Sequence, residues 1–345
     1  MGTEARQVKS CAKQTKTKQK AENVAWENPL IPNARLRQIY LAMIQARALD
    51  RALPAAKRAH RVDAKAEKSK SAKAAGSLGQ EAALVGVCFD LGAGDLVSDA
   101  LVGGAIDYLR GVPLDEIVRP NDARRHSRKS AAATTVARLA APSTISERVW
   151  AAIGAAAALK AAHAQARANA REQTESDDSQ EMSARPVGVV TLFTLPGEAP
   201  AELWKAVLTF VAKETLPIVF VVLPVQGERG GKEKRTKAGG VSEISLGCDI
   251  PAIAVDADDA IAIYRVAQES IGRARAGGGA VLIECIPYVL QDDSTTRARR
   301  AHTKAKPSAI AALEGTLLQR GVATKLWIER EAKTFARRMA KSKAK

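Results

Sequence analysis

The stretch PVGVVTLFTLPGEAPAELWKAVLTFVAKETLPIVFVVLP, residues 186–224, decides the fold class. Two continuous apolar runs, 187–193 and 218–223, lie on either side of a predicted helix at 198–215. Short apolar runs without polar alternation indicate strands that are buried on both faces, as in parallel sheets. The stretch therefore predicts a βαβ unit, and such a connection is right-handed.

The same rhythm continues toward the C-terminus. Strands are predicted at 252–255 and 280–286, with a helix at 257–276 between them. Asp258 and Asp259 open this helix, where acidic residues suit the positive end of the dipole. The fold class is therefore α/β, a mostly parallel sheet with helices on both faces. In such sheets ligands bind at the carboxyl ends of the strands, so the candidate loops are 194–200, 223–243, 256–259 and 287–300.

The N-terminal half adds mostly helices. Residues 1–28 predict a disordered basic tail, and residues 29–345 predict one domain with a helical, basic C-terminal end. The other predicted elements are a helix from Asn33, a helix within 76–91, a short strand within 91–99, helical residues 103–118, an Ala-rich helix at 145–170 and a final helix at 308–341. Small side chains at 82–87 and 151–158 predict close packing, such as a tight subunit interface.

The composition excludes several classes of protein. The chain has 345 residues, of which 46% are hydrophobic, so a large core can be buried. Its four cysteines have no CxxC spacing, which indicates reduced thiols in a cytoplasmic protein rather than a zinc site or a disulfide framework. No apolar run reaches the roughly 18–20 residues that span a bilayer. Neither a secretory signal nor a membrane partner is expected.

The formal net charge of +16 favours anionic partners. Most of this charge falls in predicted tails and loops, and no helix-turn-helix, RRM or zinc-finger pattern accompanies it. Nucleic-acid binding is therefore disfavoured, although a polyanion-binding role stays open as a hypothesis.

Several motifs occur in the order typical of one enzyme family. The chain resembles the E1 component α subunit of thiamine diphosphate-dependent 2-oxoacid dehydrogenases of the pyruvate and branched-chain type. The matching segments are LRQIYLAMIQARALD at 36–50, GQEA at 79–82, GD at 94–95, GVPLDEI at 111–117, the small-residue helix at 152–160, TLP at 215–217, ARAG at 274–277 and LIE at 282–284.

The resemblance implies a cofactor site that this chain has largely replaced. The family holds the diphosphate of thiamine diphosphate through Mg²⁺, which requires oxygen ligands, from a Gly-Asp-Gly turn and a later Asn. The two ligand positions fall on Pro196 and Val225, neither of which has a side-chain oxygen. The family's Tyr-Arg pair aligns with Leu101-Val102, and its Gly-His pair with Asp292-Asp293.

The remnants of the family site give the candidate cofactor-binding residues Gly154, Gly197, Glu198 and Gln226. Glu198 and Gln226 carry oxygens and are possible surrogate ligands, whereas Gly154 is also interpreted as a close-contact helix residue and Gly197 as a turn residue. No catalytic residue and no protein-held metal are predicted, since none of the four histidines has a plausible Ser, Cys or carboxylate partner.

Three functions follow as hypotheses. The favoured one is a catalytically inactive α-like subunit, a pseudoenzyme that pairs with an E1 β-like chain in an α2β2 heterotetramer, or with itself, as a structural or regulatory partner. The second is an active E1 α subunit that uses surrogate ligands, decarboxylates a 2-oxoacid and acylates lipoate within a lipoyl acyltransferase complex. The third is a polyanion- or nucleic-acid-binding protein that reuses the fold.

Overall fold

The computed structural model describes residues 31–53, 77–99, 101, 103–118, 138–139, 144–173, 187–195, 198–224, 241–287 and 307–344. Within these residues the helices are α1 (Asn33–Ala52), α2 (Glu81–Cys88), α3 (Ala105–Leu109), α4 (Leu114–Val118), α5 (Ile145–Gln173), α6 (Ala201–Lys213), α7 (Val241–Leu246), α8 (Ala260–Arg275), α9 (Ala309–Gln319) and α10 (Lys325–Ala344). The strands are β1 (Leu96–Ser98), β2 (Val190–Thr194), β3 (Ile218–Val222), β4 (Ala252–Asp256) and β5 (Val281–Ile286).

The five strands form one sheet in the order β1-β2-β3-β5-β4, and every neighbouring pair is parallel. Strands β2 and β3 pair along their whole lengths, from Val190 opposite Ile218 to Thr194 opposite Val222. All residues of both strands are buried, as their continuous apolar runs predict. The predicted α/β fold is confirmed.

Alternate residues of the strands pack into two hydrophobic cores, one on each face of the sheet. Phe193, Val219 and Ile283 pack into the core covered by α1, α2, α8 and α9. Leu192 and Phe220 point the other way, into the core covered by α5 and α6. Because both faces carry helices, the central strands have no side exposed to water.

Helix α2 shows why small side chains occur at 82–87. All of its residues are buried, and α8 packs directly across it. A Cβ at Gly86 would lie only 2.8 Å from Ile263 Cγ2 and 3.1 Å from the backbone nitrogen of Tyr264. The predicted close packing exists, but it is within one chain. The interpretation of 82–87 as a subunit interface is therefore wrong.

Helix α5 runs antiparallel to the strands along the face opposite α2. Arg148, in its first turn, contacts Glu198 after β2, whereas Lys160 donates hydrogen bonds to Glu214 O and Thr215 Oγ1 just before β3. Beyond this point the helix leaves the core, because residues 161–169 are exposed apart from a half-buried His163. The predicted helix 145–170 is confirmed and extends to Gln173.

The outer side of α5 contains an exposed aromatic pair. Trp150 is 45% exposed and makes a T-shaped contact with Phe210 of α6, which is 42% exposed. Gly154 lies on the same outer side, and a Cβ there would meet nothing within 4 Å. The interpretation of Gly154 as a close-contact residue is therefore wrong for the single chain.

A third, smaller cluster attaches the C-terminal helix. Phe335 of α10 packs with Leu49 and Leu53 from the end of α1 and with Leu114 and Val118 of α4. The predicted final helix is in fact two helices, α9 and α10, separated by Gly321, whose φ of 66° suits glycine.

Candidate functional site

The carboxyl edge of the sheet is where this topology places a ligand. Strand β3 leads to α7, whose Val241 and Ile244 pack on the α5/α6 core, and β5 leads to α9 in the opposite core. Strands β3 and β5 are neighbours, and the helices that follow them pack on opposite faces of the sheet, an arrangement that favours ligand binding at the carboxyl ends of such strands. The helices that follow β1 and β2, which are α3 and α6, also pack on opposite faces.

Beyond β2 the edge is closed by a cluster around Glu198. Its carboxylate accepts hydrogen bonds from Arg148 Nη2 at 2.8 Å, from Leu195 N at 2.9 Å and from Thr194 Oγ1 at 3.0 Å. The Arg148 side chain is 4% exposed and that of Glu198 23%. The cluster joins α5 to the turn after β2 and holds that turn against the sheet.

This cluster does not fit a magnesium ligand. Both oxygens of Glu198 already accept from donors of the chain itself, and the nearest partner is a guanidinium cation, which would repel Mg²⁺. Across the part of the chain that the structure describes, no group of three or more His, Cys, Asp or Glu residues could hold a metal ion. The other positions in question, 196, 197, 225 and 226, lie outside the described residues.

At the end of β1, a buried ion-pair cluster stands beside the position of the family's Tyr-Arg pair. Arg138 lies 2.7 Å from the carboxylate of Asp99 and 2.7 Å from Asp107 Oδ1. Asp99 Oδ1 also accepts from the backbone nitrogen of Leu101, which is itself only 6% exposed. Leu101 thus packs inside, where it offers a diphosphate neither charge nor a hydrogen-bond donor. Val102 is outside the described residues.

The Gly-Gln-Glu-Ala segment contacts both the end of β3 and helix α1. Gln80 Nε2 donates to Pro224 O, just after β3, at 2.7 Å. Glu81 accepts two hydrogen bonds from Arg47 of α1, at 2.8 and 2.9 Å. Burial would raise the pKa of Glu81, but the hydrogen bonds from Arg47 and from backbone amides outweigh it and lower the pKa. Both side chains act as internal supports.

Two other motif residues also have partners within the chain. Asp95 accepts from Gly92 N at 2.6 Å and from Val189 N at 2.8 Å, and it forms an ion pair with Arg275. Glu284, on β5, accepts from Ser242 Oγ at the start of α7. The residues that carry the family resemblance therefore stabilise the scaffold in this chain.

Of the two candidate cofactor residues within the described part of the chain, Glu198 lies at the carboxyl edge and Gly154 does not. Glu198 has the partners described above. Gly154 lies nine residues into α5, about 14 Å of helix rise from its first residue, on the outer side. Gly197, Gln226 and the Asp292-Asp293 pair lie outside the described residues. Sequence reasoning missed Arg148 and Arg138, since their partners are far away along the chain.

The parallel five-stranded sheet with helices packed on both faces defines a protein of the α/β class. A family model described as "Dehydrogenase E1 component" matches residues 56–342. The chain therefore belongs to the dehydrogenase E1 component family, as its motifs predict. Within the described residues, no helix is both long and apolar enough to cross a membrane.

Several characterised relatives match parts of the chain. The α subunit of an acetoin:2,6-dichlorophenolindophenol oxidoreductase from Bacillus subtilis is 37% identical over 82 residues, 24% of this chain and 25% of that protein. The α subunit of 3-methyl-2-oxobutanoate dehydrogenase from Mycobacterium tuberculosis is 38% identical over 89 residues, 26% of this chain and 24% of that protein. The pyruvate dehydrogenase E1 component α subunit of Acholeplasma laidlawii is 30% identical over 160 residues, 43% of this chain and 45% of that protein. The matches thus span from 24% to 45% of the length of these relatives.

Proposed function

We propose that this chain is an α-like subunit of the E1 family that does not bind thiamine diphosphate and Mg²⁺ through its own residues, and that it serves a structural or regulatory role beside an E1 β-like chain. The observation that carries the proposal is the Glu198 cluster. The one acidic side chain described near the family's metal position is occupied by Arg148, Thr194 and Leu195 N. At the neighbouring edge Leu101 replaces a diphosphate contact with a buried apolar side chain.

The surface of the chain supports a subunit role. Trp150 and Phe210 are large aromatic side chains, of the kind enriched in protein interfaces. Gly154 lies beside them and has no side chain, so another backbone could approach the outer side of α5 closely at this point. A β-like subunit in a heterotetramer is the partner that family membership favours. We also propose that the protein is cytoplasmic, because its cysteines lack the spacing of a disulfide framework.

Titration of the full chain with thiamine diphosphate and Mg²⁺ tests the proposal. Binding at 100 times the dissociation constant would stabilise the folded state by about 2.7 kcal/mol, which thermal denaturation detects readily. We expect no shift, either for the chain alone or beside a co-expressed β-like subunit. Since that subunit could itself bind part of the cofactor, its own melting transition must be followed separately.

The variant Glu198→Gln separates the two family hypotheses. If Glu198 were a surrogate metal ligand, the wild type would be stabilised by the cofactor and Mg²⁺, and the variant would lose this stabilisation. If Glu198 only closes the turn after β2, the variant melts earlier and neither protein responds to the cofactor. Cofactor-dependent stabilisation of the wild-type α chain would refute the proposal in favour of an active subunit.

A further inference from the structure

The last helix, α10, carries more cationic than acidic residues. In its first half, Arg330 lies 3.2 Å from Glu331 and Lys333 lies 3.9 Å from Glu329, so these cations have acidic neighbours. From residue 334 to 344 the helix contains no acidic residue and carries four cations, all exposed: Arg337, Arg338, Lys341 and Lys343. We call these four residues the basic pole.

The basic pole belongs to the folded domain. Phe335, on the inner side of the same helix, is 3% exposed and makes a T-shaped contact with Tyr108 at 5.6 Å between ring centroids. Lys343 Nζ donates to Ala52 O at the end of α1. The sequence disfavours nucleic acid because most of its charge falls in predicted tails and loops. For these four residues that reason does not hold, because a packed helix presents them.

Two further stretches of the sequence, residues 54–76 and 119–137, are also basic. Leu53 and Val118 are the last described residues before residues 54–76 and 119–137, and both belong to the cluster that holds Phe335. The first stretch contains seven Lys or Arg and two acidic residues, and the second contains five and one. The described acidic residues on α4, which packs against α10, are Asp115 and Glu116.

We propose that the basic pole binds the phosphate backbone of double-stranded nucleic acid, without selecting a base sequence. Arg337, Arg338 and Lys341 fall within one turn of helix, about 6 Å of rise. A duplex carries one negative charge per about 1.7 Å of its axis, a density that three adjacent cations can engage together.

The other exposed side chains near the basic pole favour contacts with phosphates alone. They are Thr334, Ala336 and Ala340. An aromatic ring that could stack on an unpaired base is absent from them, as is the Asn or Gln that reads adenine, so neither single strands nor base sequence is favoured. A protein partner with an acidic surface would also need an apolar anchor at the centre of its contact, and residues 334–344 expose none.

The test is binding of the full chain to a fluorescent 30-base-pair duplex of arbitrary sequence, followed by anisotropy between 50 and 200 mM NaCl. Each neutralised phosphate contributes about −0.9 to the slope of log affinity against log salt. The variant Arg337→Gln/Arg338→Gln/Lys341→Gln should therefore have a slope shallower by about 2.7. Over this range the affinity of the wild type should fall about 40-fold more than that of the variant.

The matched control is Lys205→Gln/Lys213→Gln/Arg273→Gln, which removes three exposed cations from α6 and α8. It should keep the slope of the wild type. Absence of duplex binding at 50 mM NaCl would overturn the proposal, and so would equal slopes for the two triple variants. Binding to poly-L-glutamate that depends on the pole, without binding to the duplex, would overturn it in favour of an acidic protein. These outcomes do not depend on whether the chain binds thiamine diphosphate.

Discussion

The ion pair between Arg148 and Glu198 should be a stability determinant whose two partners are not equivalent. Removal of one partner from a buried ion pair costs about 3–5 kcal/mol, because the other charge is left unpaired. The variant Glu198→Ala leaves the guanidinium of Arg148 in a site where it is only 4% exposed, so a loss of about 3–4 kcal/mol is expected. The variant Arg148→Met leaves Glu198 with two donors and 23% exposure, so the loss should be nearer 2 kcal/mol.

The double variant completes a cycle that isolates the pairwise interaction. Residues in direct contact show interaction energies of about 0.5–3 kcal/mol, so the double variant should lose clearly less than the sum of the single losses. Urea denaturation of the four proteins, followed by circular dichroism at pH 7, measures these differences. Additivity within about 0.5 kcal/mol, or a greater loss for Arg148→Met than for Glu198→Ala, would refute this account of the cluster.

Three other experiments test separate parts of the structure. Gly86→Ala should destabilise the chain by about 1–3 kcal/mol, because the new Cβ would lie 2.8 Å from Ile263 Cγ2. Gly154→Ala, on an open helix surface, should instead stabilise it by up to about 1 kcal/mol. Equal effects of the two variants in denaturation curves would contradict the packing of α2 on α8. The pKa of Glu81 is lowered by folding from its usual value of 4.5, so its ionised form stabilises the folded state above pH 4.5, and this stabilisation is lost as the pH falls through the pKa of the folded state. The difference in unfolding free energy between the wild type and Glu81→Gln should therefore decrease in acid. A difference that increases in acid would contradict the ion pair with Arg47. Burial raises the pKa of the Cys88 and Cys285 thiols to about 12. Iodoacetamide at pH 8 should therefore modify half-buried Cys248 before these two, which should react only after unfolding, as peptide mass spectrometry would show.

Some secondary-structure elements of this molecule could be predicted from the local sequence, and others could not. Strands β2 and β3 could be predicted because each is a continuous apolar run, and α8 because Asp259 caps it with hydrogen bonds to Ile261 N and Ala262 N. Helix α7 has six residues, which is too short for a clear periodic signal, whereas the three-residue β1 lies within the segment 91–99, where a short strand is predicted. In the segment 103–118, Gly111 with a φ of 89° and Pro113 separate two short helices.

The candidate site was harder to predict than the fold, for a physical reason. Motif positions identify which side chains are present, but not which donors reach them. Glu198 was predicted as a possible metal ligand from its oxygens alone, whereas its partner Arg148 is 50 residues earlier in the chain. Arg138 lies in an Ala- and Thr-rich stretch, and nothing nearby indicates that it joins Asp99 to Asp107.

Helix α5 extends past the sheet, and this gives one continuous helix two different local stabilities. Its first four turns are held by the core, so their amide hydrogens should exchange with solvent only when the whole domain opens. Residues 161–169 are exposed apart from half-buried His163, so this part of the helix depends on the helix propensity of its alanines. Exchange there should proceed by fraying from Gln173 inward and should stop near Lys160, where contacts with Glu214 and Thr215 attach the helix to the domain. A protease that needs an unfolded segment would therefore cut the end of this helix while the sheet remains intact.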